Sequence, residues 1–185
     1  ADWPSLERRG IAFSVHRVPR QRLGMLKKQL CVLAALKYNR VMIEFGDNFP
    51  YASHQFPERR DNFTERDIAD LVGFAQARFI EVVPMLRIMV GCPLVFERSD
   101  VERMLENPHG GRYSPCCPLK PSVSALLKAA IGEQCASLRP RSFAFYLDRK
   151  ELLQNFRRCD ECRKHSAVEL ISGHLRFLAA ECAAY

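Results

Sequence analysis

The stretch FIEVVPML, residues 79–86, is almost entirely apolar and rich in branched side chains. A short apolar run of this kind predicts a strand that is buried on both faces, as in a parallel sheet. Immediately before it, apolar residues recur at helical spacing: Ile68, Leu71, Val72, Ala75 and Phe79. Thr64 and Asp67 have the spacing of an N-terminal capping box, with Asp in place of the commoner Glu or Gln. Residues 64–86 are therefore predicted to form a helix followed by a buried parallel strand.

The same order of strand and helix recurs on both sides of this segment. Three further runs have strand composition: GIAFSV (10–15), RVMIEF (40–45) and FAFYL (143–147). In the last run, Phe143, Phe145 and Tyr146 are predicted to be core residues. After the first of these runs, leucines recur at helical spacing between positions 23 and 36, which predicts a helix. A further helix is predicted over residues 122–135. A last helix is predicted to bury one face: Val168, Ile171, Leu175, Leu178 and Cys182. Strand–helix units in succession predict a parallel sheet with right-handed crossovers.

The predicted fold class is therefore α/β with a parallel sheet, which fits a segment of a (βα)-barrel; the resemblance given below implies a parallel (βα)4 half of a TIM-type barrel, with residues 1–185 as a single partial barrel domain. An open doubly wound sheet is the alternative. No glycine-rich GxGxxG loop follows the first strand, which disfavours a nucleotide-binding sheet. A complete barrel has eight units and commonly about 250 residues. Half of one would leave a sheet face and two edges open, so we expect a homo-oligomer or pairing with a complementary half-barrel.

Composition and charge exclude several classes of protein. Hydrophobic residues make up 48% and charged residues 26% of the chain, as in a globular domain rather than a disordered one. No apolar run reaches the roughly 18–20 residues that span a bilayer, so no membrane partner is expected. The net charge of +7 comes from scattered short basic pairs, which is typical of a solvated surface, and nucleic acid is not expected as a partner. The N-terminal ADWPSLERRG lacks the apolar core of a secretory signal, and localisation stays open.

The eight cysteines do not have the arrangement of a small disulfide scaffold. Cys31 and Cys182 lie in apolar helical patterns and are predicted to be buried small hydrophobes, which favours a reducing compartment. Cys159 and Cys162 have the CxxC spacing of zinc ligands, with His165 three residues on and a Cys116-Cys117 pair elsewhere. A single CxxC is a weak indication, so we predict neither a metal nor a cofactor. A basic, zinc-containing binder of anionic polymers is kept as an alternative.

In both candidate architectures, function gathers at the carboxyl ends of the strands. Those ends carry His16-Arg17, Asp47-Asn48, the segment 87–92 and Asp148-Arg149. Each residue also has a structural interpretation. Asp148 could cap a helix and Asp47 could serve a turn, whereas Arg17 could be a solvated surface residue and Cys92 a buried thiol.

Three segments carry a family resemblance: LAALKYNRVMIEFGDNFPY (33–51), FTERDIADLVGFAQARFIEVVPML (63–86) and FAFYLDR (143–149). In this order they resemble the first half of the catalytic barrel of family 20 glycoside hydrolases, the β-N-acetylhexosaminidases. In that family a KYN segment leads into the second strand, a phrase like gIEVVP forms the third, and the fourth ends in HIGxDE. The resemblance implies substrate-assisted retaining chemistry on a glycan that contains N-acetylhexosamine.

The resemblance also implies roles for individual residues. Asp148 takes the catalytic position of the aspartate that orients the substrate amide, whereas Arg17 and Asp47 take substrate-binding positions after the first and second strands. Cys92 stands where the family has histidine, and Arg149 replaces the glutamate that acts as general acid and base. Because arginine stays protonated, Arg149 cannot shuttle that proton. We therefore expect a carbohydrate-active domain with hydrolysis weak or lost, and a non-catalytic assembly module is the alternative.

Overall fold

A computed structural model describes residues 4–16, 18–53, 62–89, 101–107, 114–147 and 156–185. Within them, one parallel sheet has the strand order β1-β2-β3-β4. The strands are β1 (Gly10–Ser14), β2 (Arg40–Glu44), β3 (Glu81–Arg87) and β4 (Ala144–Tyr146). Because neighbours in the sheet are also neighbours in sequence and run parallel, each must be joined to the next by a crossover. This is the order of consecutive strands in a (βα)-barrel.

One long helix lies in each crossover, and two further helices follow β4. The described ones are α1 (Leu23–Ala35), α2 (Glu65–Gln76), α3 (Pro121–Leu138), α4 (Asp160–Arg163) and α5 (Ala167–Cys182). Single 3-10 turns lie at Arg20–Arg22, Gly46–Asn48 and Val101–Arg103. The α/β fold class, with a four-stranded parallel sheet and helices on the connections, is confirmed. None of the helices in these described segments is long and apolar enough to cross a membrane.

Alternation along the strands separates the two faces of the sheet. On the helix-facing side, Val41, Ile43 and Val82 pack with the apolar faces of α1 and α2 in one core. Leu86 packs with α3 and with Leu178 of α5 in a second core. The opposite face, which would line the interior of a complete barrel, carries the polar groups described below.

The predicted capping box at the start of α2 is confirmed. The Thr64 hydroxyl accepts a hydrogen bond from the backbone N–H of Asp67 at 3.2 Å, and the Asp67 carboxylate accepts one from the Thr64 backbone N–H at 2.8 Å. These bonds satisfy donors that a helix start would otherwise leave unpaired. Ser166 and Glu169 form the same arrangement at the start of α5.

Three predictions about apolar positions are wrong. Phe79 does not continue the apolar face of α2: its φ is 58° and its side chain is 90% exposed. The helix ends at Gln76, and the left-handed residue turns the chain into β3.

On α5 the fully buried positions are Leu170, His174 and Leu178, whereas Val168 and Leu175 are exposed, because the neighbouring elements decide which face is covered. Cys31 is exposed and Cys182 is half-buried, so neither is the fully buried thiol that the pattern suggested.

Candidate functional site

The parallel sheet brings the carboxyl ends of its strands to one edge. Ser14 at the end of β1 is opposite Glu44 at the end of β2, and Arg87 at the end of β3 is opposite Tyr146 in β4. The residues that follow β1 and β2 continue onto the same edge. Two polar groups lie there, one after β1 and β2 and one across β2, β3 and β4.

The first group pairs His16 with Asp47. The Nδ1 atom of His16 lies 2.5 Å from Oδ1 of Asp47, and their side chains are 24% and 2% exposed. With a neutral ring, Nδ1–H donates to the carboxylate and Nε2 becomes an acceptor. The buried carboxylate therefore fixes the imidazole in one orientation and leaves it in contact with solvent.

Two asparagines hold Asp47 in place. The buried Nδ2 of Asn48 donates to the carbonyl oxygens of Val15 and Val18, both at 2.7 Å, which ties the loop after β1 to the turn after β2. Asn62 donates through Nδ2 to the Asp47 carbonyl at 3.1 Å. Because these bonds satisfy backbone acceptors, the position of the pair is set by the backbone of two loops.

The second group consists of three residues joined by two contacts across the sheet. The Nε of Arg87 lies 3.2 Å from Oε1 of Glu44, whose side chain is 3% exposed. The Arg87 guanidinium also lies 4.8 Å from the centre of the Tyr146 ring, a cation–π distance. The arrangement places a carboxylate, a planar cation and an aromatic ring side by side on the interior face.

The interior face is polar at its amino end as well. Arg40 of β2 pairs with Glu81 of β3 at 2.8 Å, and the Ser142 hydroxyl donates to Glu81 at 3.2 Å. On β1 the interior positions are small and exposed: Gly10, Ala12 and Ser14. Among the exposed large hydrophobics of the described residues, Tyr146 lies on this face. Ion pairs and small residues therefore occupy part of the interior face, beside the buried Val83 and Met85.

Among the predicted site residues, the structure describes Asp47 and places it at the edge as expected. Arg17, Cys92, Asp148 and Arg149 lie outside the described residues. The sequence interpretation missed Glu44, because its position inside an apolar strand gave no reason to expect a buried ion pair. It also took Tyr146 for a core residue, although the alternation that partly buries Phe143, Phe145 and Leu147 against the core places Tyr146 on the opposite face.

A separate group could hold a metal. Within the described segments, the sulfur atoms of Cys117, Cys159 and Cys162 lie within 4.8 Å of one another. His165, which the sequence had placed near the CxxC, is not part of this group. The cysteines lie apart from the His16–Asp47 pair, in the connections after β3 and β4.

Comparison with known proteins gives structural matches only. No protein-family model matches the sequence, and no curated protein matches it. Solved structures do: a β-N-acetylhexosaminidase (20% identity, TM-score 0.69) is matched over 99% of this chain and 46% of its own. A Flavobacterium johnsoniae chitobiase (18%, TM-score 0.75) is matched over 99% and 31%. A family 20 exo-β-N-acetylglucosaminidase from Vibrio harveyi, solved with N-acetylglucosamine, (16%, TM-score 0.73) is matched over 99% and 35%.

These matches cover nearly all of this chain but less than half of each solved protein. At 16–20% identity they establish the fold and leave activity to be tested. The chain therefore has the fold of part of the barrel of family 20 β-N-acetylhexosaminidases, and its polar groups lie at the edge where such barrels carry their sites.

Proposed function

We propose that this chain is a carbohydrate-active domain related to the β-N-acetylhexosaminidases, which binds glycans containing N-acetylhexosamine and has weak or no hydrolytic activity. The observation that carries the proposal is the buried Asp47, held against His16 at the carboxyl end of β2. A residue that serves only to form a turn does not need a buried carboxylate held by both neighbouring loops. The burial of Asp47 therefore favours a role in a site.

The chemistry of the edge suits a sugar. Hydroxyl groups need both donors and acceptors: Nε2 of a neutral His16 and the carboxylate of Asp47 accept hydrogen bonds, and the guanidinium of Arg17, a proposed contact, would donate them. The amide of an N-acetyl group presents one donor and one acceptor to the same kinds of partner. The proposed substrate contacts are Asp47 and Arg17, with Asp148 orienting the amide.

Weak hydrolysis follows from Arg149. A general acid of suitable pKa typically contributes about 10²–10⁴ in rate, and a guanidinium that stays protonated cannot supply it. If the domain does hydrolyse, we expect the substrate-assisted retaining route, with the acetamido oxygen as the nucleophile and Asp148 stabilising its developing charge.

Binding and hydrolysis are tested separately. Calorimetric titration with N,N′-diacetylchitobiose should give heat with the parent chain, and Asp47→Asn should weaken binding about tenfold or more, as expected for loss of a charge-assisted hydrogen bond. Asn39→Ala is the matched control, because Asn39 bonds the Glu7 carbonyl at the opposite end of the sheet. Absence of binding by the parent chain would refute the proposal.

Hydrolysis is measured as nitrophenol release from an aryl N-acetyl-β-glucosaminide by the parent and by Arg149→Glu. Activity confined to Arg149→Glu would support a sugar site that lacks its proton donor. Rapid turnover by the parent would show that another residue serves as the acid.

A second candidate is an assembly module. In the described part of the sheet, β1 and β4 each pair on one side only, and the interior face of β1 is exposed. We propose that a second copy or a complementary half-barrel covers this surface. Light scattering on the full chain should then show a dimer, and a monomer across the accessible concentration range would contradict it.

A further inference from the structure

Three cysteines from distant parts of the sequence converge on one point. Cys117 lies in the segment before α3, whereas Cys159 and Cys162 flank the start of α4, 42 and 45 residues further along. The Sγ atom of Cys117 lies 3.7 Å from that of Cys159 and 3.4 Å from that of Cys162. Cys117 and Cys162 are 1% and 0% exposed, and Cys159 is half-buried.

The sulfur spacing is that of a metal site. Zinc bonds to thiolate are about 2.3 Å long, so a tetrahedral site has sulfur–sulfur edges of about 3.8 Å. A disulfide would require two of these sulfurs at about 2.0 Å and would leave the third without a partner. The observed separations lie near the tetrahedral edge. Three thiols therefore meet at the spacing at which they would share one cation.

Backbone contacts hold the three ligating segments together. The N–H of Cys162 donates to Sγ of Cys159 at 3.4 Å, a bond that stabilises charge on that sulfur. The N–H of Cys117 donates to the Met104 carbonyl at 2.9 Å, and an isolated bridge pairs Leu105 with Cys116. The Cys117 segment is thus anchored to residues 104–106.

A carboxylate oxygen of Glu106 can serve as the fourth ligand. Glu106 is 4% exposed and lies beside the Cys162 thiol. Its Oε2 accepts the N–H of Arg158 at 2.6 Å, and among the described residues Oε1 has no hydrogen-bond partner. A buried carboxylate oxygen without a partner is costly unless a cation or another donor satisfies it.

We propose that Cys117, Cys159 and Cys162 bind one zinc ion, with the Glu106 carboxylate as the fourth ligand. As the three sulfur–zinc bonds form, each thiol loses its proton to solvent. The combined negative charge of three thiolates and one carboxylate exceeds the positive charge of the zinc ion. The surrounding basic segment offsets part of the excess, since Arg157 donates to the carbonyls of Cys162 and Arg163.

The site is structural rather than catalytic. Four protein ligands leave no open position for water or substrate. The ion would link the connection after β3 to the connection after β4, beside the small apolar cluster of Cys117, Cys162 and Leu170 that they already share. It would therefore fix the segment around Cys117 against the segment around Cys159 and Cys162.

The test is metal analysis of the full chain, purified under reducing conditions without chelator. We expect one zinc per chain by mass spectrometry, and after exchange into Co²⁺ the near-ultraviolet charge-transfer band of cobalt–thiolate bonds. Cys159→Ser should lose the metal. It is the mildest of the ligand substitutions because Cys159 is only half-buried. Cys31→Ser, an exposed thiol on α1, is the matched control and should keep one zinc.

Glu106→Gln tests the fourth ligand. It should retain zinc but release it to a competing chelator, with affinity lower by about tenfold or more. An unchanged affinity would remove Glu106 from the site. A reduced parent chain that neither contains zinc nor takes up Co²⁺ would overturn the proposal, as would zinc retained in Cys159→Ser or an intact mass showing a disulfide among the three cysteines.

Discussion

Arg87 at the end of β3 pairs with Glu44 at the end of β2, with 3.2 Å between Nε and Oε1. The two residues are 43 positions apart, and the pair joins two neighbouring strands on the interior face of the sheet. Glu44 is buried and Arg87 is half-buried. Within the described part of the chain, Arg87 is the cation that compensates this carboxylate.

Substitution of Arg87 should destabilise the protein. Arg87→Met leaves the buried Glu44 carboxylate without its partner, which should lower the free energy of unfolding by about 1–3 kcal/mol. Urea denaturation followed by circular dichroism measures the change. Adding Glu44→Gln to Arg87→Met should restore part of the loss, because the uncompensated charge is then gone. A double variant less stable than Arg87→Met would contradict this account.

Asn48 is expected to matter for both stability and ligand binding. Asn48→Ala removes the hydrogen bonds to the carbonyls of Val15 (buried) and Val18 (partly buried), and their loss should cost about 1–3 kcal/mol of unfolding free energy. The loop that carries His16 should loosen, so chitobiose affinity should fall as well. Asn39→Ala, at the opposite end of the sheet, is expected to lower stability without changing affinity. Equal chitobiose affinities in Asn48→Ala and Asn39→Ala would show that Asn48 does not support ligand binding.

The capping box of α2 gives a third prediction. Thr64→Ala should lower the free energy of unfolding by about 1 kcal/mol, whereas Thr64→Ser should be nearly neutral because it keeps the accepting hydroxyl. Burial acts to raise the pKa of Asp67, but hydrogen bonds from Thr64 and the nearby Arg20 outweigh it and lower that pKa. Chemical denaturation of the two variants at neutral pH measures the effect. A Thr64→Ser variant as unstable as Thr64→Ala would rule out the cap.

His174 predicts acid sensitivity. Burial lowers its pKa below the ordinary value of 6.5, although a hydrogen bond with the Ile88 backbone opposes the shift. Below pH 6.5 the unfolded chain therefore binds a proton that the folded chain does not. Stability should fall as pH drops through that range, with a slope of at most about 1.4 kcal/mol per pH unit from this group.

The test is the unfolding free energy between pH 7.5 and pH 5 for the parent and for His174→Gln. The substitution should flatten the pH dependence, and His165→Gln, at an exposed position, should leave it unchanged. Parallel curves for the parent and His174→Gln would show that other groups cause the acid sensitivity.

Much of the fold follows from local patterns. The strands around Ile43 and Val83, the helix after Thr64 and the (βα) order were predicted because hydrophobic periodicity and capping act over a few residues. Phe79 shows where this fails: its spacing continues the face of α2, but the helix has ended and the backbone has turned. On α5, helical spacing allowed more than one buried face, and packing against α3 selected the one with His174.

Local sequence patterns were enough to predict the order of strands and helices and to mark Asp47 as a residue at a strand end. Tertiary structure decided its partner, His16, and also the pairing of Glu44 with Arg87 and the meeting of Cys117 with the CxxC. Each of these contacts joins residues 31 to 45 positions apart. No local propensity encodes such separations. They arise because parallel pairing aligns the carboxyl ends of strands, and because burial of shared apolar faces fixes how the connections pack upon them.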